Sequence, residues 1–300
     1  MRKLSIMLII VLCLALLATG ITVSAADKTI IVGAKNFTEQ YVLGNMMSIL
    51  LEENGFNVRE QFGTGSAITR EGLESGQTDL YAEYTGTASL VYLGHEEVMT
   101  NPEALYEKVK NEDLEKNNIV WLDRSEINNT YAMAVREAHT EEIGTTLSDL
   151  ANYVNNNPGE IIFGINHEFN ERADGFWAMA EHYGMNVERG QVRVMDTGLT
   201  FEALNRNQID VTMVFATDGN VKGYNLIVLE DDKYFFPVYN ISVCVRKDVL
   251  EQYPEIEEIM KPIAELTDEI MQELNYQVDS LGLPEKLVAR NFLAENGYLD

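Results

Sequence analysis

Thr29-Ile30-Ile31-Val32-Gly33-Ala34, then Lys35-Asn36-Phe37-Thr38, then apolar residues at Tyr41, Leu43, Met46, Met47, Leu50 and Leu51: this stretch decides the fold. The first six residues are a β-branched apolar run, the next four a polar turn, and the remainder carries helical spacing. Thr38 suits the N-cap position, and Glu39 complements the positive end of the helix dipole. Gly55 closes the helix, and Phe56 to Phe62 offers a second strand. Strand, helix and strand in that order predict a parallel sheet with loops gathered at the strand ends.

The alternation continues along the chain. Ala67 to Ser75 reads as a helix, and Asp79 to Ala82 as a strand running into Glu83-Tyr84-Thr85-Gly86-Thr87. Pro102 to Asn117 is a charged amphipathic helix, followed by a strand at Ile119 to Leu122. Tyr131 to Val135 is a strand, Ser148 to Val154 a short helix, Ile161 to Ile165 a strand and Ala173 to Tyr183 a helix. Val192 to Met195, Phe201 to Asn205 and Val211 to Phe215 repeat strand, helix, strand. Ile241 to Val245 is the last strand, and Glu255 to Phe292 is helical with a break around Gly282-Leu283-Pro284. Two α/β lobes fit this order, residues 27–128 plus 240–300 forming lobe I and 129–239 lobe II. No Gly/Ser/Pro-rich linker separates them, so short strand-like crossings near Asn129 and Val238 are expected. Such crossings make a hinged cleft.

Met1-Arg2-Lys3, an apolar run from Leu4 to Ala18 and small residues ending Val23-Ser24-Ala25-Ala26 have the order of a secretory signal peptide, residues 1–26. The run is shorter than the roughly 20 apolar residues of a comfortable membrane span. Cys13 lies inside that run, not after a small residue at its end, which argues against a lipid-attachment site. The expected product is an exported protein, periplasmic or associated with the cell surface. Cys244 is then its one cysteine, which excludes an internal disulfide; within Ile241-Ser242-Val243-Cys244-Val245 it reads as a small buried hydrophobe.

The formal charge is −26, and the leader carries two cations and no acid, so the exported chain stands near −28. Such a surface repels phosphate backbones and anionic lipid, and nucleic acid is not an expected partner. No Gly-x-Ser-x-Gly, P-loop, dinucleotide fingerprint or His-Glu-x-x-His is present. His95, His139, His167 and His182 are isolated, without metal-ligand spacing. Gly63-Thr64-Gly65-Ser66 resembles half a phosphate loop but lacks its lysine, and is read as a strand-to-helix turn. Neither an enzyme nor a cofactor protein is expected.

Aromatic residues beside turns at strand ends stand out instead. Tyr84 opens Tyr84-Thr85-Gly86-Thr87, Tyr131 follows Asn128-Asn129-Thr130, Phe215 precedes Ala216-Thr217-Asp218-Gly219, and Tyr239 follows Phe235-Phe236-Pro237-Val238. Each sits where an α/β sheet presents its ligand crevice.

These segments, with Lys35-Asn36-Phe37-Thr38-Glu39-Gln40 and Leu229-Glu230-Asp231-Asp232-Lys233-Tyr234-Phe235-Phe236-Pro237, resemble the glycine betaine/carnitine/choline-binding proteins of osmoprotectant ABC importers. The likeness runs from about Lys28 to the C-terminus. It implies a type II periplasmic-binding-protein fold with an aromatic cage between the lobes. Carried over by motif, the cage is Tyr84, Tyr131, Phe215 and Tyr239, with Asn129 beside it. A polar grip on a ligand carboxylate falls on Lys35, Thr87 and Arg172. The implied partners are a quaternary-ammonium solute and the permease and ATPase subunits of an importer, the binding protein itself being a monomer. Where the family usually has a tyrosine before Thr-Asp-Gly, this chain has Phe215, and Val211-Thr212-Met213-Val214 lacks the acidic residue often found there. A binding protein for another methylated cation or small amphipathic solute, or a sensor subunit docking on a receptor, stays open as an alternative.

The physics of such a ligand fits those residue types. A trimethylammonium group has no N–H to donate, so its diffuse charge is recognised by the negative faces of aromatic rings, at about 0.5–2 kcal/mol per contact. At the ligand's other end, arginine grips a carboxylate bidentately and lysine adds a point charge.

Overall fold

The alternation of strands and helices folds into two separate five-stranded sheets. The computed structural model describes residues 28–299, so the signal peptide read at 1–26, and Cys13 within it, lie outside the described residues. No helix among the described residues is long and apolar enough to cross a membrane.

The first sheet has the order β2-β1-β3-β10-β4, from β1 (Thr29–Lys35), β2 (Asn57–Thr64), β3 (Leu80–Tyr84), β4 (Ile119–Asn128) and β10 (Asn240–Arg246). The second has the order β7-β6-β8-β5-β9, from β5 (Tyr131–Arg136), β6 (Phe163–Ile165), β7 (Val192–Val194), β8 (Val211–Phe215) and β9 (Leu226–Val228). Both follow one plan. β1 is parallel to β2 and β3, as β6 is to β7 and β8. The strand that enters each sheet after a crossing, β5 or β10, lies antiparallel to its neighbours. The chain passes from one sheet to the other after Asn128 and returns before Asn240. There Asn129 N–H donates to the Tyr239 carbonyl at 3.2 Å, and Tyr239 N–H to Asn128 Oδ1 at 2.7 Å, so the two crossings run side by side.

The helix Thr38–Glu53 shows why the opening stretch was decisive. Val42, Leu43, Met46, Met47, Leu50 and Leu51 are all buried against β1, β2 and the helix Glu285–Glu295. Each such side chain contributes about 1.5–3 kcal/mol on leaving water. Its start differs from the expectation: Phe37 takes the cap position, without a side-chain cap, and Thr38 is already helical. The Thr38 hydroxyl donates instead to Asp279 at 2.5 Å, so a tertiary bond has replaced the local one. Cys244 is fully buried on β10 beside Tyr81 and Trp121, as a small hydrophobe. Gly63 to Ser66 is the turn between β2 and the helix Ser66–Glu74.

Two helical spans are more broken than their periodicity predicts. The helix expected over 173–183 starts only at Phe176, running Phe176–His182, and a separate short helix, His167–Glu171, precedes it. Between them Arg172 and Asp174 bind each other, and Gly175 runs so close to the Phe169 carbonyl that a Cβ would lie 2.2 Å from it. The C-terminal span contains the helices Ile256–Ile259, Lys261–Ala264, Asp268–Asp279 and Glu285–Glu295. Beyond the break at Gly282, a second falls at Thr267, whose hydroxyl caps the Asp268–Asp279 helix.

Candidate functional site

The sheet registers carry the four strand-end aromatics to one place. Tyr131 opens β5 directly opposite Phe215, which closes β8, and their ring centroids are 5.0 Å apart. In the other sheet Ile241 of β10 pairs with Tyr84 at the end of β3, so Tyr239, two residues earlier, arrives beside the chain leaving β3. There Gly86 makes room: a Cβ on it would stand 2.8 Å from the Tyr239 ring and 2.9 Å from the Val238 carbonyl. Across the two sheets, Tyr131 and Tyr239 meet edge to face at 5.9 Å.

Phe37, which sequence reasoning passed over, bridges the remaining gap. Its ring stacks on Tyr84 at 6.2 Å and on Phe215 at 5.1 Å, joining one sheet's aromatics to the other's. It sits just past the end of β1, the same strand-end position that singled out the others. Phe169 and Phe236 back Tyr131 from behind, at 4.9 Å and 6.3 Å. The Phe235-Phe236 segment is held in turn by Asp231, which accepts both backbone N–H groups and the Tyr183 hydroxyl.

Tyr84, Tyr131, Phe215, Tyr239, Lys35, Thr87 and Asn129 all line a single cavity of about 30 Å³. All but Phe215 are buried. Arg172 lies at the edge, lining a wider opening of about 730 Å³ that shares Asn36, Ser66, Asn166, Glu168 and Thr197 with the inner cavity. Its guanidinium is 5.4 Å from the centre of the Tyr131 ring. Ser66, from the first sheet's side, donates across this opening to Glu168 at 2.8 Å.

Both cations expected to grip a carboxylate already have acidic partners. Lys35 Nζ donates to Glu83 at 2.5 Å and lies 4.9 Å over the Tyr84 ring. Arg172 donates to both oxygens of Asp174, at 2.9 and 2.5 Å, and to Glu168 at 3.3 Å. Neither has spent all its protons, since an ammonium has three and a guanidinium five. Tyr239 hydroxyl is buried beside the Arg172 cation; burial raises its pKa, and Arg172 pulls it the other way. The Tyr239 hydroxyl, spare ammonium protons and a ring of π faces thus line the inner cavity, with the spare guanidinium protons of Arg172 at its edge.

Glu39 was read only as a helix-start acid, yet it is buried at the meeting point of the site's supports. It accepts from Tyr84 hydroxyl at 2.7 Å, Asn129 Nδ2 at 2.8 Å, Thr217 hydroxyl at 2.5 Å and Asn275 Nδ2 at 3.4 Å. Burial pushes its pKa up while those four donors pull it down, burial prevailing. Nothing in the local sequence distinguishes it from a solvated acid in a first helical turn.

Among the described residues no group of three or more His, Cys, Asp or Glu is suited to a metal ion. The family model described as the substrate binding domain of the ABC-type glycine betaine transport system matches residues 28–295. The chain belongs to that family. It is 39% identical over 295 residues to a glycine-betaine-binding protein of Pseudomonas aeruginosa, covering 96% of this chain and 93% of that one. It is 34% identical over 280 residues to the Helicobacter pylori ergothioneine transport permease/ergothioneine binding protein EgtU, 90% of this chain and 48% of that longer one. Among solved structures it resembles that of a glycine betaine/carnitine/choline ABC transporter protein, with a TM-score of 0.73 at 28% identity over 90% of this chain and all of the other. The fold is accordingly the two-lobed type II periplasmic-binding-protein fold, and members of the family bind solutes for ABC transporters without catalysing a reaction.

Proposed function

We propose that the chain captures a quaternary-ammonium compatible solute, such as glycine betaine, proline betaine, carnitine or choline, and delivers it to an ABC permease. The observation that carries this reading is the convergence of Tyr84 and Tyr239 from one sheet with Tyr131 and Phe215 from the other on one cavity. Such rings favour a weakly hydrated cation over potassium, which an ordinary carboxylate site would also accept. The family membership and the printed functions of the similar proteins point the same way.

In this reading the cage is Tyr84, Tyr131, Phe215 and Tyr239, with Asn129 holding the crossing. Lys35, Thr87 and Arg172 face a ligand carboxylate through protons that Glu83, Asp174 and Glu168 leave free. The lobes are 27–128 with 240–300, and 129–239, and the paired crossings at Asn129 and Tyr239 form the hinge. In this reading the lobes part at that hinge to admit the solute and close over it. Export through the leader at 1–26, a monomeric binding protein and an ATPase partner complete the proposal.

Thermal-shift screening of the purified chain against betaines, choline, carnitine and ordinary amino acids tests it. A ligand at a hundred times its Kd adds about 2.7 kcal/mol to stability. Stabilisation by a quaternary amine is expected; stabilisation by an ordinary amino acid alone would overturn the proposal.

A further inference from the structure

Glu39 is a carboxylate placed for more than packing. Its two oxygens share four donors from four parts of the chain: Tyr84 at the end of β3, Asn129 in the crossing, Thr217 after β8 and Asn275 in the Asp268–Asp279 helix. The orientation of those donors is fixed by backbone groups. Asn275 Nδ2 also donates to the Thr217 carbonyl at 2.9 Å, and Asn129 Oδ1 accepts the Thr217 N–H at 3.4 Å. Gln40 Nε2 donates to the Ala82 carbonyl at 2.9 Å and to the Tyr84 oxygen at 3.1 Å, so the Tyr84 proton is left to point at Glu39. The result is a directed chain, Gln40 to Tyr84 to Glu39, that ends on a carboxylate surrounded by donors.

Charge accounting around the cavity singles out the same residue. Lys35 is neutralised by Glu83, and Arg172 by Asp174 and Glu168. Glu39 makes no ion pair among the described residues; its partners are neutral hydroxyls and amides. A phenol that donates to a carboxylate shifts electron density into its ring, and a more negative ring face holds a cation more tightly.

We infer that Glu39 is a positioning residue of the ligand site, which by accepting the Tyr84 hydroxyl fixes that ring and enriches its π face, so that the site selects a charged quaternary ammonium over a neutral solute of the same shape. This rests on the proposed function, since it concerns how the cage discriminates. Glu39 touches no ligand; it acts through Tyr84.

The test compares choline with the neutral alcohol in which a carbon atom replaces its nitrogen, by calorimetric titration of the full exported chain. In the unmodified protein choline binds more tightly. In Glu39→Gln, and separately in Tyr84→Phe, the ratio of the two affinities is expected to fall at least about fivefold. A purely structural role would weaken both ligands together and leave the ratio unchanged, which would overturn the inference. In the double variant Glu39→Gln/Tyr84→Phe the ratio should fall no further than in Tyr84→Phe. An independent additional fall would also contradict the inference. If Glu39→Gln does not fold, by circular dichroism, Tyr84→Phe decides alone, because it keeps both the ring and the carboxylate. An unmodified protein that binds no quaternary amine would sink the proposed function itself, an outcome distinct from an unchanged ratio.

Discussion

The rings of Tyr131 and Tyr239 meet edge to face at 5.9 Å although one opens β5 of the second sheet and the other immediately precedes β10 of the first. The two residues are 108 positions apart in sequence and are brought together by the pair of crossings, where Tyr239 N–H is held by Asn128 Oδ1 at 2.7 Å. The contact lies at the junction of the two sheets, so whatever settles against Tyr131 feels both.

Tyr131 has the most aromatic neighbours of the four cage residues, touching Phe169, Phe215, Phe236 and Tyr239. Tyr131→Ala removes a π face and opens the wall at once. Its affinity for glycine betaine should fall by about tenfold or more, measured by calorimetric titration, with the fold retained by circular dichroism.

Arg172 separates two ligand classes. In the proposed site its spare guanidinium protons serve a carboxylate and have no use for a hydroxyl-bearing cation such as choline. Arg172→Ala should weaken glycine betaine and carnitine by about tenfold while changing choline binding little. Equal losses for the two classes would remove the carboxylate role.

The fold class, and the strand-end positions of the four aromatics proposed as a cage, were legible in the sequence because both depend on local pattern; their assignment to a cage came from the family resemblance. Apolar runs, helical spacing and turn residues mark strand ends, and strand ends are where Tyr84, Tyr131, Phe215 and Tyr239 stand. Phe37 obeys the same rule and was passed over because its neighbours Lys35 and Thr38 drew the reading toward a polar turn. Glu39 was not legible at all: its role comes from Thr217 and Asn275, 178 and 236 residues away. The same limit applies to Lys35, whose partner Glu83 lies 48 residues away, but not to Arg172, whose partners Glu168 and Asp174 are four and two residues from it. The Thr38 cap failed because Asp279, distant in sequence, takes its hydroxyl.

Among the described glycines, Gly86 is the one at which an added methyl group would strike the ring of Tyr239. Gly86→Ala places a Cβ 2.8 Å from two Tyr239 ring atoms. The variant should lose about 1–3 kcal/mol of stability in urea unfolding, with weakened ligand binding as the ring shifts.

Acidic groups near the crossing give the stability a pH dependence of definite sign. Burial, with Asp279 and Glu39 nearby, pushes the Asp218 carboxyl up to about 7, and burial raises Glu39 and Asp279 as well. A carboxyl that holds its proton more tightly when folded favours the folded state at low pH, and this contribution is lost as pH rises from about 4 through about 7. Asp218→Asn should therefore gain stability relative to the unmodified protein between pH 5 and pH 7.5. The expected gain is about 1 kcal/mol or more, each tenfold displacement of a proton equilibrium being worth about 1.4 kcal/mol. Urea melts at the two pH values measure it, and a difference that stays constant with pH would contradict the assignment.

A crystal structure with glycine betaine bound bears most directly on the aromatic cage. The quaternary nitrogen is expected within about 6 Å of the ring centres of Tyr84, Tyr131, Phe215 and Tyr239, contributed by both lobes at once. A nitrogen resting against carboxylates, with those four rings turned elsewhere, would contradict the account.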